Sequence, residues 1–524
     1  MRKFIMLAIA MASGFIALSY EILWYRAFSF VGQAKAAVFG LVLAFYLLGV
    51  AIGADMSRKY CVDTTAEGRP KRLRIIAAFI ALASIVSFLV IPILARASTL
   101  HFRLYHTPVW ELPLVVLAIG AAMMGAVFPL VAHFGIEADS RAGLYLSYMY
   151  LANIIGSTLG SFLTGFVFME IATTRTISFA LATGGFSMAI LLLLASELRT
   201  GATALAMLGA ALCVALAGPG SAMPFRQIYE RMLLKKDFTP DRHFREVRES
   251  RHGVIVVDED DKVFGNGAYD GAFNVSLVDN KNRIERAYAV RVMRPHAKRM
   301  LMIGLASGSW AQVLASTPGL EHFTIVEIDP GYLDLIRKYP DVASILTNPK
   351  VDIVIDDGRR WLLRHPDEKF DVIVMNTTWH WRAHVANLLS RDFMRIARAH
   401  LLPGGLHYFN TTSSVSVLHT AAVEFPYAFR FENFVAVSDA PITFGRDAYR
   451  GVLATAEVEG KLALDLSNEE DQKVLDGFVS IVDASPLAWA STESRDGLLK
   501  DTQGARIVTD DNMACEWEND DDVE

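Results

Sequence analysis

The first 222 residues contain seven apolar runs of about the length that crosses a bilayer, and no other feature restricts the fold of this chain as much. A hydrocarbon layer about 30 Å thick takes about 20 helical residues. The runs lie near residues 4–24, 36–54, 75–95, 112–133, 144–168, 176–195 and 202–217, the last being short. Within lipid each backbone N–H and C=O needs a partner in its own segment, so the runs are read as helices. Met1-Arg2-Lys3 ahead of an apolar stretch has the form of a secretory signal, but the stretch is too long and others follow, so it is read as a retained first span.

Charge divides at the same place. Residues 1–222 carry 15 Lys and Arg against 9 Asp and Glu, and residues 223–524 carry 35 against 47. A charge-poor segment of +6 followed by an ordinarily charged one of −12 reads as a membrane domain and an acidic second domain. That acidity argues against nucleic acid as a partner. With 53% hydrophobic and 20% charged residues, the chain is neither disordered nor collagen-like. Cys61, Cys213 and Cys515 lie far apart with no C-x-x-C pair, so neither a disulfide framework nor a metal site is expected.

The expected boundaries are 1–222 for a membrane domain of about seven transmembrane helices, 223–252 for an amphipathic linker, 253–298 for a small β-hairpin domain and 299–524 for a Rossmann-like nucleoside-binding domain. Within the first, Gly156, Gly160 and Thr164 recur at four-residue spacing, which suits close helix contact where lipid supplies no hydrophobic drive. Glu21, Asp55 and Asn153 are polar groups in or beside spans and need partners. Glu21 is read either as an ion pair with Arg26 at the membrane surface or as a substrate or proton site in the bundle. Lys and Arg flanking the spans number ten on one side and nine on the other, which leaves the orientation open.

Beyond residue 253 the pattern changes to short β-type runs, first a hairpin across Asp258 to Asp261. From Arg299, apolar strands at 300–303, 323–327, 351–355, 371–375 and 405–408 alternate with helical patterns, the signature of a parallel, doubly wound sheet. The first strand runs into Gly304-Leu305-Ala306-Ser307-Gly308 and then a helix, a turn that lets backbone approach a ligand at the helix N-terminus. Glu327, some twenty residues on at the end of the second strand, suits the ribose hydroxyls of an adenosine. Asp357, followed by Gly358 at the end of the third, suits the adenine amino group. Acids in such places also cap helices, an alternative that applies to Asp356 and Asp329.

These residues carry a resemblance. Gly304 to Gly308, Val326-Glu327-Ile328-Asp329, Asp357-Gly358, Phe370-Asp371-Val372-Ile373-Val374, Asn387-Leu388-Leu389-Ser390-Arg391-Asp392-Phe393 and Leu402-Pro403-Gly404-Gly405 resemble, in order and spacing, the polyamine aminopropyltransferase (spermidine synthase) family. The run from Ser13 to Arg26, Met124-Gly125-Ala126-Val127-Phe128-Pro129 and Asn153-Ile154-Ile155-Gly156 look like the multi-pass membrane domain fused to some members, and Thr509-Asp510-Asp511-Asn512 is similar to their tail.

The resemblance implies an α-helical multi-pass membrane domain followed by an α/β Rossmann-like S-adenosylmethionine-dependent transferase domain. It implies decarboxylated S-adenosylmethionine as co-substrate, an amine such as putrescine as acceptor and no metal. Gly304, Ser307, Gly308, Glu327, Asp357 and Gly358 would bind the nucleoside. A cell-membrane location follows, with the second domain in the cytoplasm, where S-adenosyl donors are made. The lipid bilayer is the expected partner of the first domain, and since the family's soluble members associate, a homodimer is a further expectation.

At the chemical centre the chain departs from the family. Ser307 stands where members place an Asp in the glycine turn, Asn376-Thr377-Thr378-Trp379-His380 replaces an Asp-x-x-Asp-Pro-type segment, and Tyr269-Asp270-Gly271 replaces Tyr-His-Glu. Diamines are dications at neutral pH, so carboxylates are needed to hold one end and deprotonate the other. Asn376 orients but is neither base nor counter-ion. Asp270 and His380 are the remaining catalytic candidates, with Glu285, Trp379, Trp381 and His384 beside them. Two other functions fit: methyl or aminocarboxypropyl transfer from S-adenosylmethionine itself to a membrane-delivered acceptor, or a non-catalytic adenosine sensor or transport protein.

Overall fold

The computed structural model describes residues 2–61, 69–100, 111–136, 139–196, 222–376, 379–483 and 492–518. The seventh apolar run and Cys213 lie outside the described residues. The chain divides into two compact units. One comprises Met1–Gln33, Ala37–Phe244 and Glu249–Val254; the other comprises Ala34–Ala36, Arg245–Arg248 and Ile255–Glu524.

The first unit is helical: α1 (Arg2–Val31), α2 (Ala36–Ser57), α3 (Arg69–Ala97), α4 (Glu111–Gly135), α5 (Ala142–Leu163), α6 (Met169–Ile171) and α7 (Thr174–Leu194), with a π turn at Thr164–Phe168 joining α5 to α6. Among the described residues, six helical stretches are long and apolar enough to cross a membrane, at Phe4–Val31, Ala36–Tyr60, Pro70–Ala97, Leu112–Gly135, Ala142–Ile171 and Thr174–Leu194.

Glycines set the closest approaches. A Cβ on Gly156 would run into the Met11 carbonyl and one on Gly160 into that of Phe15, so α5 lies backbone to backbone on α1. Asn153 makes use of the same contact: its Nδ2 donates to the Ala10 carbonyl at 3.0 Å, which accounts for an amide inside a span. Arg26 does not pair with Glu21. Five positions apart on one helix, the two point in different directions. Instead Arg26 Nη2 donates to the Gly253 carbonyl at 2.8 Å and lies 3.8 Å from Glu249 Oε2.

The hairpin expected after residue 253 is part of a four-stranded sheet in the order β1 (Glu246–Ser250), β2 (Gly253–Val257), β3 (Lys262–Gly265), β4 (Ala268–Ala272). Asp258 closes the β2–β3 turn by accepting from the amides of Asp260 and Lys262, both at 2.9 Å.

Chain alternation then builds a mixed sheet from β5 (Arg299–Ile303), β6 (His322–Glu327), β7 (Val351–Ile355), β8 (Phe370–Met375), β9 (Leu401–Asn410), β10 (Tyr427–Phe431) and β11 (Phe434–Ser438). After a two-residue hairpin of β12 (Glu457–Val458) and β13 (Lys461–Leu462), β14 (Thr492–Ser494) joins its edge. The order is β14-β10-β11-β9-β8-β5-β6-β7. The five strands from β7 to β9 are parallel and the other three pairings antiparallel.

Residues alternate between two cores, as the two-residue period of a strand requires. Met300, Met302, Val372 and Val374 face one, with Trp310 and Tyr408; Leu301, Ile303, Ile373 and Met375 face the other, with Phe393 and Phe409. Burial on both faces explains why these strands read as unbroken apolar runs. The chain leaves β5 towards β6 and β7 on one side and returns as β8 and β9 on the other. In such Rossmann-like sheets a ligand crevice opens at that reversal, at the C-terminal ends of β5 and β8.

Candidate active site

The turn after β5 is shaped by its backbone. Gly304 and Gly308 adopt φ of +86° and +79°, a region that costs a Cβ-bearing residue strain, and Ala306 sits at +49° between them. The turn is held by Glu327 at the end of β6. Its Oε2 accepts from the amides of Leu305 at 2.7 Å and Ala306 at 3.2 Å, and its Oε1 from that of Asp329 at 2.8 Å. Burial pushes the Glu327 carboxyl above its usual range, against the opposing pull of those three amides.

Three of the expected nucleoside residues have local structural work. Asp357 caps the helix Gly358–Arg364, accepting from the Arg360 amide at 2.8 Å, while Asp356 accepts from the Asp357 amide and pairs with Arg360 and Arg364. Gly358 is the close-packing position: a Cβ there would collide with Ile303 of β5. Ser307 is turned into the protein, 2% exposed, receiving from Asn282 Nδ2 at 3.3 Å and lying 3.2 Å from Ser309 Oγ.

Beside the turn is a cleft of about 270 Å³, lined by Tyr269, Asp270, Asn282, Arg283, Arg286, Ala306, Asn376, Trp379, Asn410, Thr412 and Asn433. Of the catalytic candidates, Asn376 and Asp270 line it and His380 does not. His380 is fully buried, with Nδ1 at 2.6 Å from Thr412 Oγ1, so the Thr412 side chain occupies the cleft wall in its place. Trp379 stacks on Trp381 with centroids 4.5 Å apart, and His384 is exposed. Thr377 and Thr378 lie outside the described residues.

Asp270 is engaged on both oxygens. Arg382 Nη1 donates to Oδ1 at 3.2 Å and the Tyr332 hydroxyl to Oδ2 at 2.6 Å. Asn376 belongs to an amide chain: Asn410 Nδ2 donates to Asn376 Oδ1 at 3.3 Å, Asn433 Nδ2 donates to Asn410 Oδ1 at 2.7 Å, and Arg286 Nη1 donates to Asn433 Oδ1. Arg286 also stacks over the rings of Trp310 and Phe434. Glu285 and Glu432 are 3% and 2% exposed, and Arg283 Nη1 and Arg286 Nε lie 3.6 and 4.0 Å from Glu432 Oε2. Burial, with the Glu285 charge beside it, pushes the Glu432 carboxyl up to about 7.

Sequence reasoning missed Asn282, Arg283, Arg286, Asn410 and Asn433. The only local signal was the polar run from Asn280 to Glu285 ahead of an apolar helix.

Residues 287–426, which include the turn, Glu327 and Asn376, match the family model described as the spermine/spermidine synthase domain. A polyamine aminopropyltransferase of Agathobacter rectalis is 35% identical over 102 residues, 19% of this chain and 35% of that protein. Another, from Desulforudis audaxviator, is 29% identical over 168 residues, 30% of this chain and 60% of that protein. The chain thus spans about a third of the first relative's length and 60% of the second's. A crystal structure of spermidine synthase in complex with the transition-state analogue AdoDATO aligns at a TM-score of 0.36 and 16% identity, covering 45% of this chain and 84% of that one. The matched region begins after Arg286, so the asparagine and arginines at 282, 283 and 286 precede it.

Proposed function

We propose that this chain is a membrane-embedded transferase of the aminopropyl class, taking an alkyl group from an S-adenosyl sulfonium donor to an amine. The observation that carries the reading is the glycine turn at the sheet's reversal point, held by Glu327, inside a region matched by the spermine/spermidine synthase domain. Decarboxylated S-adenosylmethionine is the donor that the family points to, with its nucleoside against Gly304, Gly308 and Glu327 and near Asp357 and Gly358. Ser307 supports that wall through Asn282.

The chemistry is a displacement. An amine lone pair forms a C–N bond at the methylene next to the sulfonium as the C–S bond breaks, and its electron pair neutralises sulfur to give methylthioadenosine. The new ammonium then loses a proton. Asn376 positions the amine through its amide, and Asp270, the one carboxylate among the described cleft-lining residues, takes the proton. No metal is required by this step.

Six helical stretches long and apolar enough to cross a bilayer support an anchor in the cell membrane, and a donor made in the cytoplasm favours that side for the second unit. The test is incubation of the full chain in lipid nanodiscs with decarboxylated S-adenosylmethionine and an amine panel. Release of methylthioadenosine in step with alkylated amine supports the reading. Absence of both products across the panel, with the donor recovered intact, rejects it.

A further inference from the structure

Three of the asparagines that line the cleft are fixed in one sense. A guanidinium only donates, so the Asn433 atom that meets Arg286 Nη1 is Oδ1. That leaves Asn433 Nδ2 to donate to Asn410 Oδ1 at 2.7 Å, and the Thr412 backbone amide, which also only donates, meets the same oxygen at 2.8 Å. Asn410 therefore presents Nδ2 to Asn376 Oδ1, at 3.3 Å. Two groups that cannot accept thus set which way each amide faces, a choice that symmetric amide shapes alone leave open. At the end of the chain Asn376 has its oxygen occupied, and its Nδ2 has no protein partner among the described residues.

What Asn376 offers a ligand is therefore a donor. An ammonium group has donors only, so N–H would face N–H, whereas an oxygen with a lone pair is the complement. Charge points the same way. Asp270 is the one carboxylate among the described cleft-lining residues, and both its oxygens are engaged, by Arg382 and by Tyr332. Glu285 and Glu432 are not lining residues, and fully ionised they are two carboxylates to the two guanidinium groups of Arg283 and Arg286, with no negative charge left over. One carboxylate serves one amine: it takes the proton of the nitrogen that attacks, and a second ammonium would be desolvated without a counter-charge. Trp379 and Ala306 give the cleft apolar surface for a short carbon chain.

We propose that the acceptor is a monoamine carrying a neutral oxygen where a diamine has its second ammonium, an amino alcohol or amino amide, and that Asn376 Nδ2 donates to this oxygen. The inference rests on the S-adenosyl transferase reading above and names the acceptor class for it. The transfer balances as before: the attacking nitrogen forms the C–N bond, the C–S bond breaks to release methylthioadenosine, and the proton passes to Asp270. Asn376 positions the amine by holding the far end of the same molecule.

The test is calorimetric titration of the full chain in nanodiscs. Methylthioadenosine, which lacks an amino tail, reports the nucleoside site alone. With it bound, three amines of one carbon skeleton are compared at neutral pH: 4-aminobutan-1-ol, putrescine, whose far end is an ammonium, and 1-aminobutane, whose far end is a methyl group. The amino alcohol is expected to bind at least about tenfold more tightly than either of the others, the equivalent of one well-made hydrogen bond. Asn376→Asp keeps the shape but puts an acceptor oxygen in place of Nδ2, and it is expected to reverse the order so that putrescine binds more tightly than 4-aminobutan-1-ol. Methylthioadenosine binding by the variant checks that it is folded; if it is not, the wild-type order alone decides. Preference of the wild type for putrescine, equal binding of 4-aminobutan-1-ol and 1-aminobutane, binding of none of the three, or an unchanged order in a folded Asn376→Asp variant overturns the inference while the nucleoside site still stands. Failure of methylthioadenosine to bind removes the S-adenosyl reading and this inference with it.

Discussion

The Leu305 amide donates to Glu327 Oε2 across 2.7 Å, joining the first turn of the mixed sheet to the end of its second strand. With Ala306 and Asp329 donating as well, one buried carboxylate satisfies three backbone amides at once. Leaving buried donors without an acceptor costs about 1–3 kcal/mol each. Glu327→Ala is therefore expected to lower the denaturation midpoint of the second unit by an amount equivalent to at least about 2 kcal/mol, measured by chemical unfolding. An unchanged midpoint would mean that the turn holds its shape without this residue.

Gly358 meets Ile303 more closely than a Cβ allows. Gly358→Ala forces β5 and the helix Gly358–Arg364 apart, and overpacking of this kind costs about 1–3 kcal/mol. Unfolding of the variant should show that loss; full stability would mean that the helix shifts freely.

The contact between α1 and α5 rests on Gly156 against the Met11 carbonyl. Gly156→Leu is expected to lower the thermal midpoint of the helical unit in detergent by several degrees, whereas Gly143→Leu, where a Cβ meets open space, should leave it nearly unchanged. Equal effects at both positions would argue against the close packing.

A stability slope with pH follows from the Glu285–Glu432 pair. The folded-state carboxyl of Glu432 titrates at about 7, above its unfolded value, so the folded protein binds more protons in between. Its contribution to stability is full below the unfolded value and is lost as pH rises towards 7. Arg283 and Arg286 oppose the shift, and Glu285 drives it after burial. Compared with wild type, Glu432→Gln should flatten the fall in melting temperature between pH 5 and 7.5; identical slopes would dismiss the raised Glu432 carboxyl.

Asn376 stands at the tip of β8, bonded by Asn410. Asn376→Asp supplies a carboxylate beside the attacking amine, and methylthioadenosine release with putrescine is expected to rise tenfold or more. A fall in that rate would place the acceptor elsewhere.

What the sequence made legible was whatever depends on local period. Apolar runs of bilayer length gave the six helices, and strands buried on both faces announced the parallel sheet. The glycine turn and Glu327 were visible because one strand-turn-helix unit places them at a fixed spacing. Partnerships across long separations were not visible. Arg26 meets Glu249 instead of Glu21, His380 withdraws behind Thr412, and Arg286 reaches Asn433 across 147 positions. From sequence Asp357 is expected to be a nucleoside ligand, the cap alternative applying to Asp356 and Asp329, and its 2.8 Å bond to the Arg360 amide makes Asp357 a cap as well.

The most direct measurement of the central claim is calorimetric titration of methylthioadenosine into the full chain and into its Glu327→Ala variant. Saturable one-to-one binding to the wild type, weakened a hundredfold or more in the variant, is the expected result. No binding to the wild type, or equal binding to both, would contradict a nucleoside site at this turn.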